Sequence, residues 1–531
     1  METVSDSLPA GYTEMKQPRD AYWCMAGVTC LAAVDGFNAT ITGLSGPFIQ
    51  GEFHATPDQF AWTSIAYLVA KLVCFIIGIR LAHDFGPRRM LLLSSLLFLA
   101  TSFTVAISDS LDIFIAARLF QGIAGGLLIT VGQSFIAAYL PRDRQPTYQM
   151  ILAIGTVILP SALAPFINGW LAEEADWRVI SWIAYGMSII GAGILLRYLP
   201  QESEPPQRRE AYDWLGAALL VAAVVPVTYV LLEGNRYNWW DDRHVCILLA
   251  VGLAAAALFV LRQCLLPVGR AWVDFRILRH PHYFFAFVVA VLAGVILFGS
   301  GGMLSAVVTK VLGYGARDTG MVLMAGTSNC ILGFAAAIFL IQFKGADPMK
   351  MPVIGLSFMV FAFWWISGAT SNMPEQYVIT AALVRGFGMG ILFLSLTLDW
   401  VWGVPRADLP TAAGLFNFNR QVGGMLGMST LGTYVTHQGH AAQSIFAPHL
   451  TASTATFADY QSRLFAELTS SGISADQAQT LIPSLMGGIL KREAVVLSLT
   501  DSFLLIVVII LCAAPCIGGL VGFQKLTGWD H

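Results

Sequence analysis

The sequence predicts an all-α polytopic membrane protein. Of its 531 residues, 56% are hydrophobic and only 12% are charged, so the chain carries more apolar surface than a water-soluble core can bury. Apolar stretches of about 20 residues, the length that crosses a bilayer, recur along the whole chain. The 30 basic and 33 acidic residues nearly balance, which does not favour nucleic acid as a partner.

The spanning pattern fits fourteen segments, which is an even number and places both termini on one side. With the termini inside, the inner loops and tails hold 18 Lys and Arg residues and the outer loops hold 8, so the positive-inside rule predicts cytoplasmic ends. The polar N-terminal stretch carries no signal-peptide core, so the first span is expected to stay in the protein. In chain order the spans are 21–46, 60–82, 90–108, 112–138, 147–171, 178–198, 212–232, 243–264, 282–309, 318–343, 351–370, 375–402, 409–436 and 497–522.

Two polar segments divide these spans into groups. "PQESEPPQRREAYDW" (200–214) follows the sixth span and "PVGRAWVDFRILRHPH" (267–282) follows the eighth. They predict two six-helix bundles with a two-helix insert, and "ARLFQGIAGGLLIT" in the fourth span echoes "VRGFGMGILFLSLT" in the twelfth. The predicted units are a cytoplasmic tail (1–20), the first bundle (21–199), a linker with inserted helices (200–272), five helices of the second bundle (273–436), an outer hairpin (437–496), and the last helix with a cytoplasmic tail (497–531).

The segment 437–496 is a long polar stretch between the last two spans. It contains "ADYQSRLFAEL" and "SADQAQTLIPSLMGGILKREA", where Ser or Asp starts and spaced apolar residues predict two short amphipathic helices. An outer hairpin of this size offers a docking surface for a partner.

Five ionisable residues lie well inside predicted spans: Asp35, Lys71, Arg118, Arg385 and Arg420. A charged side chain at mid-membrane costs at least about 2.5 to 3.5 kcal/mol on insertion scales, so it normally faces a cavity and a partner. At about 1.5 Å of rise per residue, Asp35 and Arg118 lie at one level in the outer half of the membrane, and Lys71 lies near the midplane.

These depths allow two interpretations of Asp35. A carboxyl group whose exposure or partner distance changes between two conformations takes up or releases a proton, which predicts proton coupling by Asp35 with Arg118 and Lys71. The alternative is a permanent ion pair of Asp35 with Lys71 or Arg118 that holds helices together. The depths allow Asp35 and Arg118 to meet at one level and favour a relation between them, with Lys71 as a third member.

The second half has no mid-membrane acid to pair with its two arginines. Arg385 and Arg420 either bond to backbone carbonyls and to Asn417 or Asn419, or they attract an acidic substrate. The eight cysteines form no CxxC pair and have no clustered His partners, so we predict neither a metal site nor a cofactor.

Four local patterns resemble the fourteen-helix drug/proton antiporters of the major facilitator superfamily, the EmrB/QacA type, over essentially the whole chain. The patterns are "VDGFNATITG" (34–43) in the first helix, "RLFQGIAGG" (118–126) in the fourth, "RLAHDFGPRRM" (80–90) in the loop between helices two and three, and "LAPFINGW" (163–170) in the fifth. The resemblance implies the major facilitator fold, with two six-helix bundles plus two inserted helices.

The resemblance also implies site residues. Proton coupling falls on Asp35 and Arg118, with Lys71 as an addition outside the family pattern. The substrate-cavity candidates are Asn38, Tyr67, Gln121, Asn417, Arg420 and Arg385, and the gating or motif residues are His83, Asp84, Gly86, Arg88, Arg89, Pro165 and Gly169. The sequence departs from the pattern at His83, where the loop's usual acid is displaced to Asp84, and at two usual glycines of the fifth helix, Ala164 and Asn168.

The function implied by this resemblance is export of amphipathic or aromatic small molecules in exchange for protons, by alternating access. It implies a cell inner membrane location, with a periplasmic adaptor (EmrA-like) and an outer-membrane channel (TolC-like) as partners and 437–496 as the outer contact. A self-sufficient pump, a dedicated exporter of one acidic metabolite or fatty acid, and a proton symporter remain alternatives. An enzyme is not predicted, because the sequence has no HExxH, GxSxG or P-loop pattern.

Overall fold

The computed structural model describes residues 18–141, 144–200, 211–267, 270–279, 281–344, 351–402, 409–446 and 455–526. In these ranges the chain is helical and contains no strand, which confirms the predicted all-α class. The predicted cytoplasmic tails, the Pro-rich link after the sixth span and positions 447–454 of the outer hairpin lie largely or partly outside the described residues.

Six helices form the first bundle. Proline or a capping side chain starts several of them: Thr56 Oγ1 accepts from Gln59 N while Gln59 Oε1 accepts from Thr56 N, a reciprocal cap at the start of α2. The helices are α1 (Pro18–Ala39), α2 (Pro57–Phe85), α3 (Pro87–Ala106), α4 (Leu111–Tyr139), α5 (Gln145–Ala153 and Leu159–Glu174, joined by the π-helical turn Ile154–Ile158) and α6 (Arg178–Tyr198).

The inserted pair and the second bundle follow. The inserted helices are α7 (Trp214–Glu233) and α8 (Arg243–Leu265). The remaining helices are α9 (Pro281–Gly294 and Ser300–Ala306, with π-helical turns Val295–Gly299 and Val307–Val311), α10 (Ala316–Lys344), α11 (Met351–Ile366), α12 (Glu375–Trp402), α13 (Leu409–Phe446), α14 (Ala455–Ser470) and α15 (Ala475–Leu526).

Twelve helices in the described ranges are long and apolar enough to span a membrane. The eleventh and thirteenth predicted spans are helical as well, but α11 has only 16 residues and α13 carries polar residues such as Asn417 and Arg420 that lower its hydropathy. The count of fourteen spans therefore stays a prediction.

The outer hairpin differs from its prediction. The first predicted amphipathic helix is α14, but the second is not a separate short helix, because it forms the beginning of α15 and continues into the last span. The buried residues Ala478, Ile482 and Met486 recur every fourth position there, so this part of α15 has an apolar face that packs in the protein. α14 packs on α15, and α13 extends to Phe446. The domain boundaries themselves stay predictions.

The two bundles meet through specific helix pairs. α5 packs on α10 and α2 packs on α13, each pair with one helix from either bundle. α7 of the insert contacts both α2 and α13. The inserted hairpin therefore lies where the two bundles join.

Candidate functional site

A fully buried polar cluster lies between α1 and α2. Lys71 Nζ is 2.5 Å from Asp35 Oδ2, Tyr67 Oη donates to Asp35 Oδ1 at 2.7 Å, and Lys71 Nζ donates to Tyr67 Oη at 3.0 Å. Asp35 and Tyr67 are each 1% exposed and Lys71 is 7% exposed. Because Tyr67 and Lys71 are one helical turn apart on α2, both side chains reach the same carboxylate.

Arg118 of α4 joins this cluster indirectly. Its guanidinium carbon lies 4.2 Å from the centre of the Tyr67 ring, and its Nη1 donates to Asn38 O at 3.0 Å and to Gln121 Oε1 at 2.8 Å. No ion pair joins Arg118 to Asp35 in the described part of the chain. The structure relates these two residues through Tyr67, which contacts both of them.

Glycines of α4 make room for the cluster. A Cβ added to Gly125 would lie 1.9 Å from Asp35 Oδ1, and one added to Gly122 would lie 2.2 Å from Tyr67 O. The glycines in "GIAGG" thus allow α4 to approach α1 and α2 more closely than any side chain would permit.

Of the two buried arginines of the second bundle, Arg385 forms hydrogen bonds with a neighbouring helix. Arg385 Nε donates to Ser300 Oγ at 2.9 Å and Arg385 Nη2 donates to Leu297 O at 3.0 Å. These are bonds from α12 to α9, so the guanidinium of Arg385 holds two helices together.

Arg420 lies in a different setting, where it lines a small cleft between the bundles. Its Nη2 donates to Asn417 Oδ1 at 3.2 Å, whereas its Nε and Nη1 have no partner among the described residues. Asn417 Nδ2 donates to Gln133 Oε1 at 2.7 Å, which links α13 to α4 across the bundles. Gln133 and Gln149, which also lines the cleft, were not singled out from the sequence, although each is a glutamine on a span-forming helix.

Pro165 and Gly169 lie in the contact between α5 and α10. A Cβ on Gly169 would be 2.3 Å from Ala316 O, and a Cβ on Gly320 would be 2.4 Å from Pro165 O. The signature residues of the fifth helix are therefore at a tight junction between the two bundles.

The loop between α2 and α3 turns at Gly86, whose φ of 86° is in the left-handed region that favours glycine. Asp84 accepts from Arg80 Nε at 3.4 Å and lies 3.3 Å from His83 Nδ1. The displaced acid of this motif therefore pairs with Arg80 one turn earlier on α2. The first turn of α3 carries the other motif residues, Arg88 and Arg89.

Arg80 also connects α2 to the inserted helices. Its guanidinium carbon lies 4.9 Å from the ring centre of Tyr212 and 5.4 Å from that of Trp272, and it donates to Arg270 O. Nothing in the linker sequences indicated this contact, since it depends on how the inserted pair folds back on α2.

Asp213, which lies just before α7, connects the two inserted helices through hydrogen bonds. Arg262 Nη2 donates to Asp213 Oδ1 at 2.6 Å, and Gln263 Nε2 and Gly216 N donate to the carboxylate at 3.0 Å each. Burial disfavours the ionised carboxylate, but the hydrogen bonds and charge of Arg262 and the other donors outweigh it and hold the pKa of Asp213 below its usual range.

The model of the Major Facilitator Superfamily matches residues 28–428. The chain belongs to the major facilitator superfamily. This confirms the family predicted from the four sequence patterns, and with it the membership of a superfamily of transporters.

Relatives within the superfamily are distant but extend over most of the chain. The fatty acid resistance protein FarB of Neisseria gonorrhoeae is 23% identical over 500 residues, covering 93% of this chain and 96% of FarB. The multidrug export protein EmrB of Escherichia coli K12 is 24% identical over 449 residues, covering 83% and 84%. The crystal structure of the human organic anion transporter MFSD10, at 12% identity, has a TM-score of 0.56 and covers 93% of this chain and 100% of that one, which shows the shared fold.

The predicted site residues of this major facilitator chain fall into five places. Asn38, Tyr67 and Gln121 contact the Asp35 cluster and its neighbour Arg118, instead of lining the described cleft. Asn417 and Arg420 line the cleft, and Arg385 packs against α9. The motif residues lie at the α2–α3 loop and at the α5–α10 junction.

Proposed function

We propose that the protein exports amphipathic or aromatic small molecules in exchange for protons, by alternating access between the two bundles. The observation that carries this proposal is the buried cluster of Asp35, Lys71 and Tyr67. A carboxylate 1% exposed within a bundle exchanges a proton only when the helices around it move. Proton exchange at Asp35 is thereby tied to a change of conformation.

The geometry supports a specific helix movement for this coupling. Asp35 is on α1 and both its partners are on α2, so a shift of α1 against α2 lengthens the ion pair. A buried carboxylate without its cation is strongly unfavourable, and proton uptake relieves it. The bare surface of α4 at Gly125 allows such a shift without a side chain in the way.

Substrate passage belongs to the cleft between the bundles. In the proposed cycle, the α5–α10 and α2–α13 contacts close and open in turn, and the cleft is exposed to each side of the membrane alternately. Export as the direction of transport is supported by the relatives named for multidrug export and fatty acid resistance.

The proposal includes a cellular setting. The protein lies in the inner membrane with both termini in the cytoplasm, as the Lys/Arg distribution predicts. α14 and the adjoining start of α15 form the contact for a periplasmic adaptor, which in turn connects to an outer-membrane channel. Support for these partners is the resemblance to EmrB and the size of the helical hairpin.

The proposal is tested with Asp35→Asn in inverted membrane vesicles that carry an imposed proton gradient. We expect substrate-dependent proton release to fall to the level of vesicles without the protein, because the amide cannot take up the coupled proton. The measurement is the recovery of a pH-sensitive dye when candidate substrates from a panel of aromatic anions, cations and neutral compounds are added.

The matched control is Asp501→Asn, which removes another helix-borne acid, on α15 and outside the cluster. This control should retain the substrate-dependent signal at the same protein level. Normal proton-linked flux in Asp35→Asn would overturn the proposed coupling site.

A further inference from the structure

We infer that the cleft between the bundles binds an amphipathic organic anion and that Arg420 holds its anionic head group. This inference rests on the proposed function and names the substrate class. It starts from the side chain itself, which is 7% exposed and has two nitrogens, Nε and Nη1, without a partner among the described residues. A buried guanidinium in this state has hydrogen-bonding capacity that an anion would complete.

The charge balance of the interior favours an anion. Away from the helix ends, the described spans bury one acid, Asp35, whose charge is matched by Lys71. They also bury Arg118, Arg385 and Arg420, which no acid matches in the described ranges. Uncompensated positive charge in a low-dielectric interior attracts an anion strongly and repels a cation.

Arg420 is placed differently from the other two arginines. Arg118 also has two nitrogens, Nε and Nη2, without a partner among the described residues, but it faces the ring of Tyr67 within its own bundle and does not line the cleft. Arg385 donates from Nε and Nη2 to α9. Arg420 lines the cleft between the bundles. It is therefore the cation that a ligand in this cleft would meet.

A second donor from the opposite bundle lines the same cleft. Gln149 on α5 is 3% exposed, and its Nε2 has no partner in the described part of the chain. A carboxylate has two oxygens and accepts several hydrogen bonds, so it can engage donors of both bundles. Such a ligand would connect α5 to α13, so its binding would affect the contact between the bundles.

The remaining lining is suited to an apolar body. Phe393 and Phe416 contribute aromatic rings, and Ile129 and Leu152 contribute aliphatic surface. The Arg420 guanidinium carbon lies 5.7 Å from the ring centre of Phe393, so charge and aromatic surface are adjacent. The cleft is small in this conformation, and its lining combines apolar side chains with polar ones, as small-molecule sites do.

The test is equilibrium dialysis of the full chain in lipid nanodiscs against two probes of the same shape, 2-naphthoate and its neutral analogue 2-naphthamide. We expect the protein to bind the carboxylate about 10-fold or more tightly than the amide. Arg420→Gln should weaken binding of 2-naphthoate by about 10- to 100-fold, as expected for loss of a charged hydrogen bond, while binding of 2-naphthamide changes little.

Two further variants keep the test decisive. Gln149→Leu removes the second donor and should lower 2-naphthoate affinity by about 3- to 10-fold, so it tests the site even if Arg420→Gln does not fold. Arg463→Gln changes an arginine on α14 whose side chain is 76% exposed, and it should leave both affinities unchanged. Equal binding of the two probes by the unmodified protein would overturn the inference, and so would an unchanged carboxylate preference in a folded Arg420→Gln protein.

The two proposals fail separately. Dialysis uses no proton gradient, so a defect in coupling at Asp35 leaves this measurement unaffected. Binding of 2-naphthoate that depends on Arg420, together with normal proton-linked flux in Asp35→Asn, would overturn the proposed coupling site and support the anion site.

Discussion

Two buried cations, Lys71 in the first bundle and Arg420 in the second, have different surroundings. In the first, Lys71 Nζ lies 2.5 Å from Asp35 Oδ2 and 3.0 Å from Tyr67 Oη, so the cation has its counter-charge within the fold. In the second, Arg420 has one described hydrogen bond, to Asn417 at 3.2 Å, and lines the cleft between the bundles. A buried charge is stable only with a partner: Lys71 has its counter-charge within the fold, whereas Arg420 keeps hydrogen-bonding capacity for an incoming anion.

The largest expected effect is that of breaking the paired charge. Lys71→Met leaves Asp35 buried without its cation, which should lower the free energy of unfolding by about 3 to 5 kcal/mol. The measurement is thermal or chemical unfolding of the purified protein in detergent, at a pH near 7.

The double variant Asp35→Asn/Lys71→Met is the control for this prediction, since it removes both charges and keeps similar volumes. It should recover most of the lost stability. If Lys71→Met were as stable as the unmodified protein, the contact between Asp35 and Lys71 would contribute nothing to the fold. The environments of Lys71 and Arg420 would then not differ in their effect on stability.

A smaller effect should separate the two arginines of the second bundle. Arg385→Met removes donors to Ser300 Oγ and Leu297 O and should cost about 1 to 3 kcal/mol of unfolding free energy. Arg420→Met removes a cation that has unpartnered nitrogens in the described structure, so the ligand-free protein should lose less than about 1 kcal/mol.

Both variants are compared in the same unfolding assay without added ligand. A larger loss for Arg420→Met than for Arg385→Met would mean that Arg420 is satisfied within the fold, and it would remove the distinction on which the anion site depends.

The sequence predicted the helices well because a long apolar segment can adopt few structures other than a helix in a membrane. Nearly every predicted span overlaps a described helix over most of its length. The sequence was less informative about where a helix ends when polar residues continue the helical pattern. For this reason α13 runs to Phe446 and α15 begins at Ala475, inside the segment predicted as a separate hairpin.

The candidate site was predicted in composition but not in pairing. Depth along a helix is set by rise per residue, so Asp35, Lys71 and Arg118 were placed near one level. Depth does not fix rotation about the helix axis or which side chain lies between two others, and here Tyr67 stands between Arg118 and Asp35. The four-residue spacing of Tyr67 and Lys71 was the available signal that both face one partner.

The smallest effect concerns an acid outside the membrane-spanning segments, Asp213, which serves as a reference for Asp35. Its pKa is held below the usual range by Arg262 and other donors, so its stabilising contribution is complete above the unfolded-state pKa of about 3.9 and is lost as the pH falls through the lower folded-state pKa. Because the Arg262 side chain is 35% exposed, water screens the pair, and Asp213→Asn should cost only about 1 kcal/mol at pH 7. The measurement is the unfolding of the unmodified protein and of Asp213→Asn between pH 7 and pH 3. The difference in their free energies of unfolding should shrink toward the acid end. A difference that stays constant over this range would mean that the charge of Asp213 does not hold the inserted helices in place.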